Sequence, residues 1–143
     1  MNRRTGLSAA IVAGIVALAA PSTAEMLPGP FQARVVRVID GDSLIVQVGL
    51  WFGQSVIEHI HIAGIDAPEM KGRCPSEIEA ARAARQYLAG LLGGGTVELR
   101  DVRREKYGRA LASVTAGGVD VGEALLREGL ARPYDGKRRG GWC

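Results

Sequence analysis

The sequence predicts a mainly β fold, five short strands closed as a small Greek-key barrel, with two or three α-helices. Three observations carry that expectation. From Phe31 to Ala63 three runs rich in β-branched residues alternate in part between apolar and polar, separated by turns at Asp40-Gly41-Asp42 and around Gly53. From Ile78 to Leu91 the apolar residues recur at helical spacing instead. Two more alternating runs, Thr96–Val102 and Arg109–Val114, follow that helix.

Residues 1–24 stand apart from this pattern. Asn2-Arg3-Arg4 is a basic lead, Leu7 to Ala20 an apolar run, and Ser22-Thr23-Ala24 a set of small residues, the signature of a secretory signal peptide cleaved after Ala24. The apolar run falls short of the ~20 residues that a spanning helix needs. The paired arginines leave export by the twin-arginine route open. The expected product is one domain, residues 25–143, exported to the periplasm or secreted, monomeric, and off the membrane once the leader is removed. Without Arg3 and Arg4 its charge falls from +3 to 16 − 15 = +1, so any basic footprint must be local. The two cysteines, Cys74 and Cys143, are compatible with one disulfide in an exported chain, two free thiols being the alternative.

Taken in order, Phe31–Ile39 is the first strand and Ser43–Trp51 the second, with Leu44, Val46 and Val48 on one face. Ser55–Ala63 is the third. Its parity puts Val56, Ile60 and Ile62 on one side and Ile57, His59 and His61 on the other. Gly64 and Pro68 then break the strand, and Pro68 biases Ala67 toward extended geometry, which sets Asp66 and Glu69 on a stiff turn. After a loop over Met70–Pro75, Ser76-Glu77-Ile78-Glu79 reads as a capping box opening a helix over about 77–92, closed by Gly93-Gly94-Gly95. The charged segment 103–108 reads as a loop between the fourth and fifth strands. Asp120-Val121-Gly122-Glu123 caps a second helix that ends near Gly129. Strands in this order, with a helix between the third and fourth, fit a barrel of the oligonucleotide/oligosaccharide-binding (OB) type better than an open sheet.

Four acids fall at strand ends: Asp40 and Asp42 after the first strand, Asp66 and Glu69 after the third. If the two turns converge on one rim, that concentration of oxygens suits a hard cation. Ordinary turn chemistry is the competing reading of each turn alone. Lys106-Tyr107-Gly108-Arg109 places a guanidinium at a strand start, where it could fork onto a phosphate, and a tyrosine that could stack on a base. Lys137-Arg138-Arg139 could contact phosphates as well, or only solubilise the tail.

Four stretches in order, Val38–Leu44, Ile62–Glu69, Lys106–Ala112 and Glu123–Ala131, resemble the staphylococcal-nuclease-like (thermonuclease) family. The resemblance covers Ala33 to Tyr134 and implies the five-stranded OB-type barrel. It also implies calcium-dependent hydrolysis of phosphodiester bonds in DNA or RNA. By position it assigns Ca2+ to Asp42, Asp66 and the Ala67 backbone carbonyl, with Asp40 in support. Glu69 is assigned to the attacking water, Arg109 to the scissile phosphate, and Lys106, Tyr107 and Tyr134 to the substrate side. A carboxylate can take the proton from water, and cationic groups can stabilise charge on the phosphoryl oxygens as it develops.

Two positions depart from the family pattern. His61 stands where a second arginine is usual, five residues before Asp66, and Ala67 replaces a usual threonine. An imidazole lacks the guanidinium fork, so His61 could take only part of that role. The alternative function is therefore a non-catalytic OB module binding nucleic acid or another anion. His59 and His61 on one strand face also raise Zn2+ as an alternative metal.

Overall fold

A computed structural model describes residues 25–105 and 107–143; the signal-peptide expectation and Lys106 lie outside the described residues. The elements in chain order are β1 (Phe31–Asp40), β2 (Ser43–Gly49), β3 (Ser55–Ile62), β4 (Ile65–Asp66), α1 (Pro75–Leu92), β5 (Thr96–Arg104), β6 (Ala110–Ala116), β7 (Val119–Asp120), α2 (Val121–Arg127) and β8 (Arg132–Pro133).

The first three strands form an antiparallel meander, with Ala33 opposite Val48 and Ser43 opposite His61. β5 pairs with the other edge of β1, and β6 pairs with β5, both antiparallel. A parallel pairing of β3 with β6, Ile60 opposite Ala110, then joins the outer strands and closes a five-stranded mixed barrel. Closure leaves no long free edge among these strands. This is the OB-type architecture that the strand order predicts.

Alternation decides what fills the barrel. Leu44 and Val46, Ile60 and Ile62, Val97 and Leu99, and Ala112 and Val114 are buried. α1 adds Leu88 and Leu92 to this core, and α2 adds Val121 and Leu125. Burying one such leucine or isoleucine contributes on the order of 2 kcal/mol, so the barrel and its helices hold together as one core. No helix among the described residues is long and apolar enough to cross a membrane.

Gly41 lies in the β1–β2 turn, where a methyl added at its Cα would meet the Ala84 side chain of α1 at 2.6 Å and that of Ala67 at 2.9 Å. Lacking a Cβ, the glycine lets three segments touch at the point where Asp40 and Asp42 are held.

Two local expectations are corrected. α1 starts at Pro75 with Cys74 as its N-cap residue and no side-chain cap, so Ser76 and Glu79 do not form a capping box. Pro75 fits the first helical position because it lacks the N–H that would go unsatisfied there, and the Glu77 carboxylate instead accepts from the Arg73 N–H at 2.8 Å. The fourth strand also runs on to Arg104, past an irregularity where Asp101 adopts φ 53°. Aspartate tolerates that left-handed geometry better than most residues, which lets the strand bend and continue. The other caps agree with expectation: Gly93 closes α1 with φ 57°, and Asp120 accepts from the Glu123 N–H at 2.9 Å to start α2.

Candidate active site

The two acidic turns meet on one rim of the barrel. Asp42 follows β1 in a tight turn, and Asp66 lies in β4, which leaves β3 through Gly64 at φ 80°. A direct bond joins the turns: the Ala67 N–H donates to Asp42 Oδ2 at 2.7 Å. Ser43 donates to Asp42 Oδ1 at 2.9 Å. Asp42 and Asp66 are buried, whereas the Glu69 side chain is 52% exposed and projects beside them.

Beneath the acids lies His61. It is 3% exposed, with Nε2 3.4 Å from Asp42 Oδ2 and Nδ1 3.1 Å from Glu105 Oε1. Glu105 also accepts from Arg109 Nε at 3.0 Å. Asp42, His61, Glu105 and Arg109 therefore form one chain of alternating charge, and His61 sits under the rim rather than on it. Glu105 belongs to none of the motifs that point to the site; it lies with Arg109 in the connection between β5 and β6, where no periodic pattern marks it.

Burial and then the neighbouring charges set the ionisation of this cluster. Burial opposes the charge on Asp42, but His61 and the Ala67 N–H outweigh it and hold the carboxyl down at about 2. Burial and the adjacent Asp42 push Asp40 up to about 7. The imidazole of His61 is opposed by burial yet raised above its ordinary value by Asp42 and Glu105. His59 moves the other way, lowered by burial and then by the positive charge of Arg109.

The C-terminal tail completes the site. β8 pairs with β4, Arg132 opposite Asp66, and the Tyr134 N–H donates to the Gly64 carbonyl at 2.9 Å, so the chain returns alongside the acids. Arg139 binds Asp66 Oδ1 through Nε and Nη2, and its Nη1 donates to Glu69 Oε1 at 2.8 Å. Its Nη2 also stands 3.7 Å from Asp42 Oδ2. Trp142 Nε1 donates to Asp66 Oδ2 at 3.0 Å, and Cys143 is bonded to Cys74. Between tail and acids lies a cleft of about 400 Å³ whose lining includes Asp66, Glu69, Lys71, Arg73, Arg139 and Trp142. A second cavity of about 390 Å³ is lined mainly by apolar groups such as Leu27, Phe31, Leu50 and Val56, and has none of this constellation.

The structure thus brings Asp40, Asp42, Asp66, Ala67, Glu69 and His61 together, with Arg109 linked through Glu105. Tyr107 is exposed, and the Tyr134 hydroxyl donates to the Lys137 carbonyl at 3.2 Å, bracing the tail. The basic run 137–139 is not one solvent-facing patch: Arg139 turns in to the acids, and Lys137 Nζ lies 3.8 Å from Asp135. The residues fit a divalent cation. Their donors are hard carboxylate oxygens, they already draw a cationic guanidinium among them, and Asp40 Oδ1 is buried with no hydrogen-bond partner. Among the described residues, the group of three His, Cys, Asp or Glu ligand atoms within 4.8 Å of one another is Cys74, Glu77 and Cys143, whose two sulfurs are bonded to each other; the rim carboxylates are spread more widely around Arg139.

The fold is a closed OB-type barrel whose rim carries Asp42, Asp66 and Glu69 around the Arg139 guanidinium. The family model described as "Staphylococcal nuclease homologue" matches residues 59–140. A thermonuclease from Staphylococcus hyicus is 33% identical over 136 residues, covering 85% of this chain and 76% of that one. The chain belongs to the staphylococcal-nuclease-like family. An uncharacterized endonuclease from Escherichia coli O157:H7 is 32% identical over 111 residues, 77% of this chain, which spans 65% of that relative's length. A probable endonuclease from Aspergillus fumigatus is 38% identical over 88 residues, and there the match spans 30% of the relative.

Proposed function

We propose that the protein is a nuclease that hydrolyses phosphodiester bonds of DNA or RNA, with Ca2+ held by Asp42, Asp66 and the Ala67 carbonyl and supported by Asp40. The observation that carries the reading is the meeting of Asp42, Asp66 and Glu69 around one cationic group, at positions joined by the Ala67–Asp42 hydrogen bond. Relatives named thermonuclease and endonuclease support the same activity. The disulfide supports an exported protein.

A bound divalent cation would polarise the phosphoryl oxygens and stabilise the charge that builds on them. The chain's own residues supply the rest. Glu69 is exposed at the rim, where its carboxylate takes a proton from the attacking water. Arg109 is oriented through Nε by Glu105, which leaves its Nη edge for a phosphate oxygen. His61 keeps Asp42 ionised and ties it to Glu105, so an imidazole below the rim couples the acid side of the site to the arginine side. This reading assigns Tyr107 and Tyr134 to the substrate, together with Lys106, which lies outside the described residues.

The test is cleavage of plasmid DNA, single-stranded DNA and RNA with Ca2+ or EDTA over pH 5 to 9. Glu69→Gln is expected to lower the rate by roughly 10²–10⁴-fold. Absence of Ca2+-dependent cleavage at every pH refutes the proposal.

A further inference from the structure

Arg139 meets the acid cluster from the chain's own tail, and that tail is anchored at several points. The Cys74–Cys143 disulfide ties its end to the N-terminus of α1. Arg132 lies over the Trp142 ring at 3.7 Å and donates to the Gly141 carbonyl at 2.8 Å. The β4–β8 pairing holds the tail's start against Asp66. Between these anchors, both Asp66 oxygens are engaged, Oδ1 by Arg139 and Oδ2 by Trp142.

We propose that Arg139 is a built-in competitor for the cation of this cluster, held in place by the anchored tail, so that the tail sets how tightly the site binds a divalent metal. The inference rests on reading Asp42 and Asp66 as metal ligands. A guanidinium offers one positive charge spread over a plane of N–H donors, whereas a divalent ion concentrates two charges and needs the same oxygen lone pairs directed at itself. Arg139 occupies those lone pairs at Asp66 Oδ1 and stands 3.7 Å from Asp42 Oδ2, so metal entry must displace it or share the carboxylates with a second positive charge. Tethering makes the competition intramolecular, which gives the guanidinium a high local concentration whatever the protein concentration. Arg139 is thus a positioning residue of the site.

The measurement is Ca2+ affinity by titration calorimetry on the full domain without reductant, comparing the wild type with R139Q, R139K and the C74S/C143S double variant. Removal of the charge in R139Q is expected to tighten Ca2+ binding by about tenfold. R139K, which keeps the charge, stays nearer the wild type, a contrast that a merely structural role would not produce. The double variant, with its tail released, shifts in the same direction as R139Q. If the wild type binds Ca2+ and R139Q binds it equally or more weakly, the competition is refuted while the metal-site reading stands. If no form binds Ca2+, the metal-site reading falls and this proposal with it. Should R139Q fail to fold, the double variant decides, and an unchanged affinity there refutes the tail's control of the site.

Discussion

Replacing both cysteines in C74S/C143S should cost the domain about 4 kcal/mol of stability. The bond joins residues separated by 69 positions. On the chain-entropy model, closing a loop of that length removes about 15 cal/mol/K from the unfolded ensemble, which is about 4 kcal/mol at 25 °C. If the folded domain is residues 25–143, as proposed, it has 143 − 24 = 119 residues, and its unfolding entropy near the midpoint is about 250 cal/mol/K, so the melting temperature should fall by about 15 °C. The native state also loses its hold on Arg139 and Trp142 in the variant, which acts in the same direction. The assay is thermal unfolding followed by circular dichroism, in EDTA and without reductant. EDTA matters because a released tail would let metal bind more tightly and mask part of the loss. A fall smaller than about 4 °C would refute the reasoning, showing either that the unfolded chain stays compact without the bond or that the tail holds itself in place.

Three further outcomes follow from the packing and charges of the acidic turns. Gly41→Ala should destabilise the domain by about 1–3 kcal/mol in urea unfolding, because the added methyl meets Ala84 and Ala67 at distances no real contact tolerates. Between pH 4 and 8 the metal-free domain should lose stability as pH rises. Asp40, raised to about 7, binds more protons folded than unfolded over that range, and His61, raised above its ordinary value, gives up its contribution as pH climbs through its folded pKa. Below about pH 4 the sign reverses: Asp42, held at about 2, must be protonated there, so stability falls again as pH drops. Asp40→Asn should flatten the alkaline limb and gain about 1–2 kcal/mol at pH 8, a figure discounted for a carboxyl that is partly solvated. A stability profile that rises from pH 5 to 8 would contradict this assignment.

The barrel was legible because its information is local and repeated. Alternation in Ser43–Gly49 and Ala110–Ala116 decides which side chains face inward, and the burial of Leu44, Val46, Ala112 and Val114 follows that parity. Turn residues were legible for the same reason, since Gly93 and Asp120 act through their own backbone conformation and side chain. The start of α1 misled because Ser76 and Glu79 match a capping pattern, while Pro75 one residue earlier suits the first helical position and extends the helix backward. The two-residue strands β4 and β8 are too short to carry any periodicity.

By itself the sequence determined the barrel's strand set, the family resemblance and the acids at the ends of the first and third strands. Those properties belong to neighbouring residues. Only the tertiary structure decided what the acids meet. The Ala67–Asp42 bond spans 25 positions, the His61–Glu105 contact 44, and the reach of Arg139 to Glu69 fully 70. Contacts at such separations depend on barrel closure, on a two-residue pairing of β4 with β8 and on one disulfide, none of which leaves a periodic trace in the chain. That is why His61, which by position could stand in for an arginine at the substrate, lies beneath the rim between two carboxylates, and why the guanidinium among the acids comes from the tail.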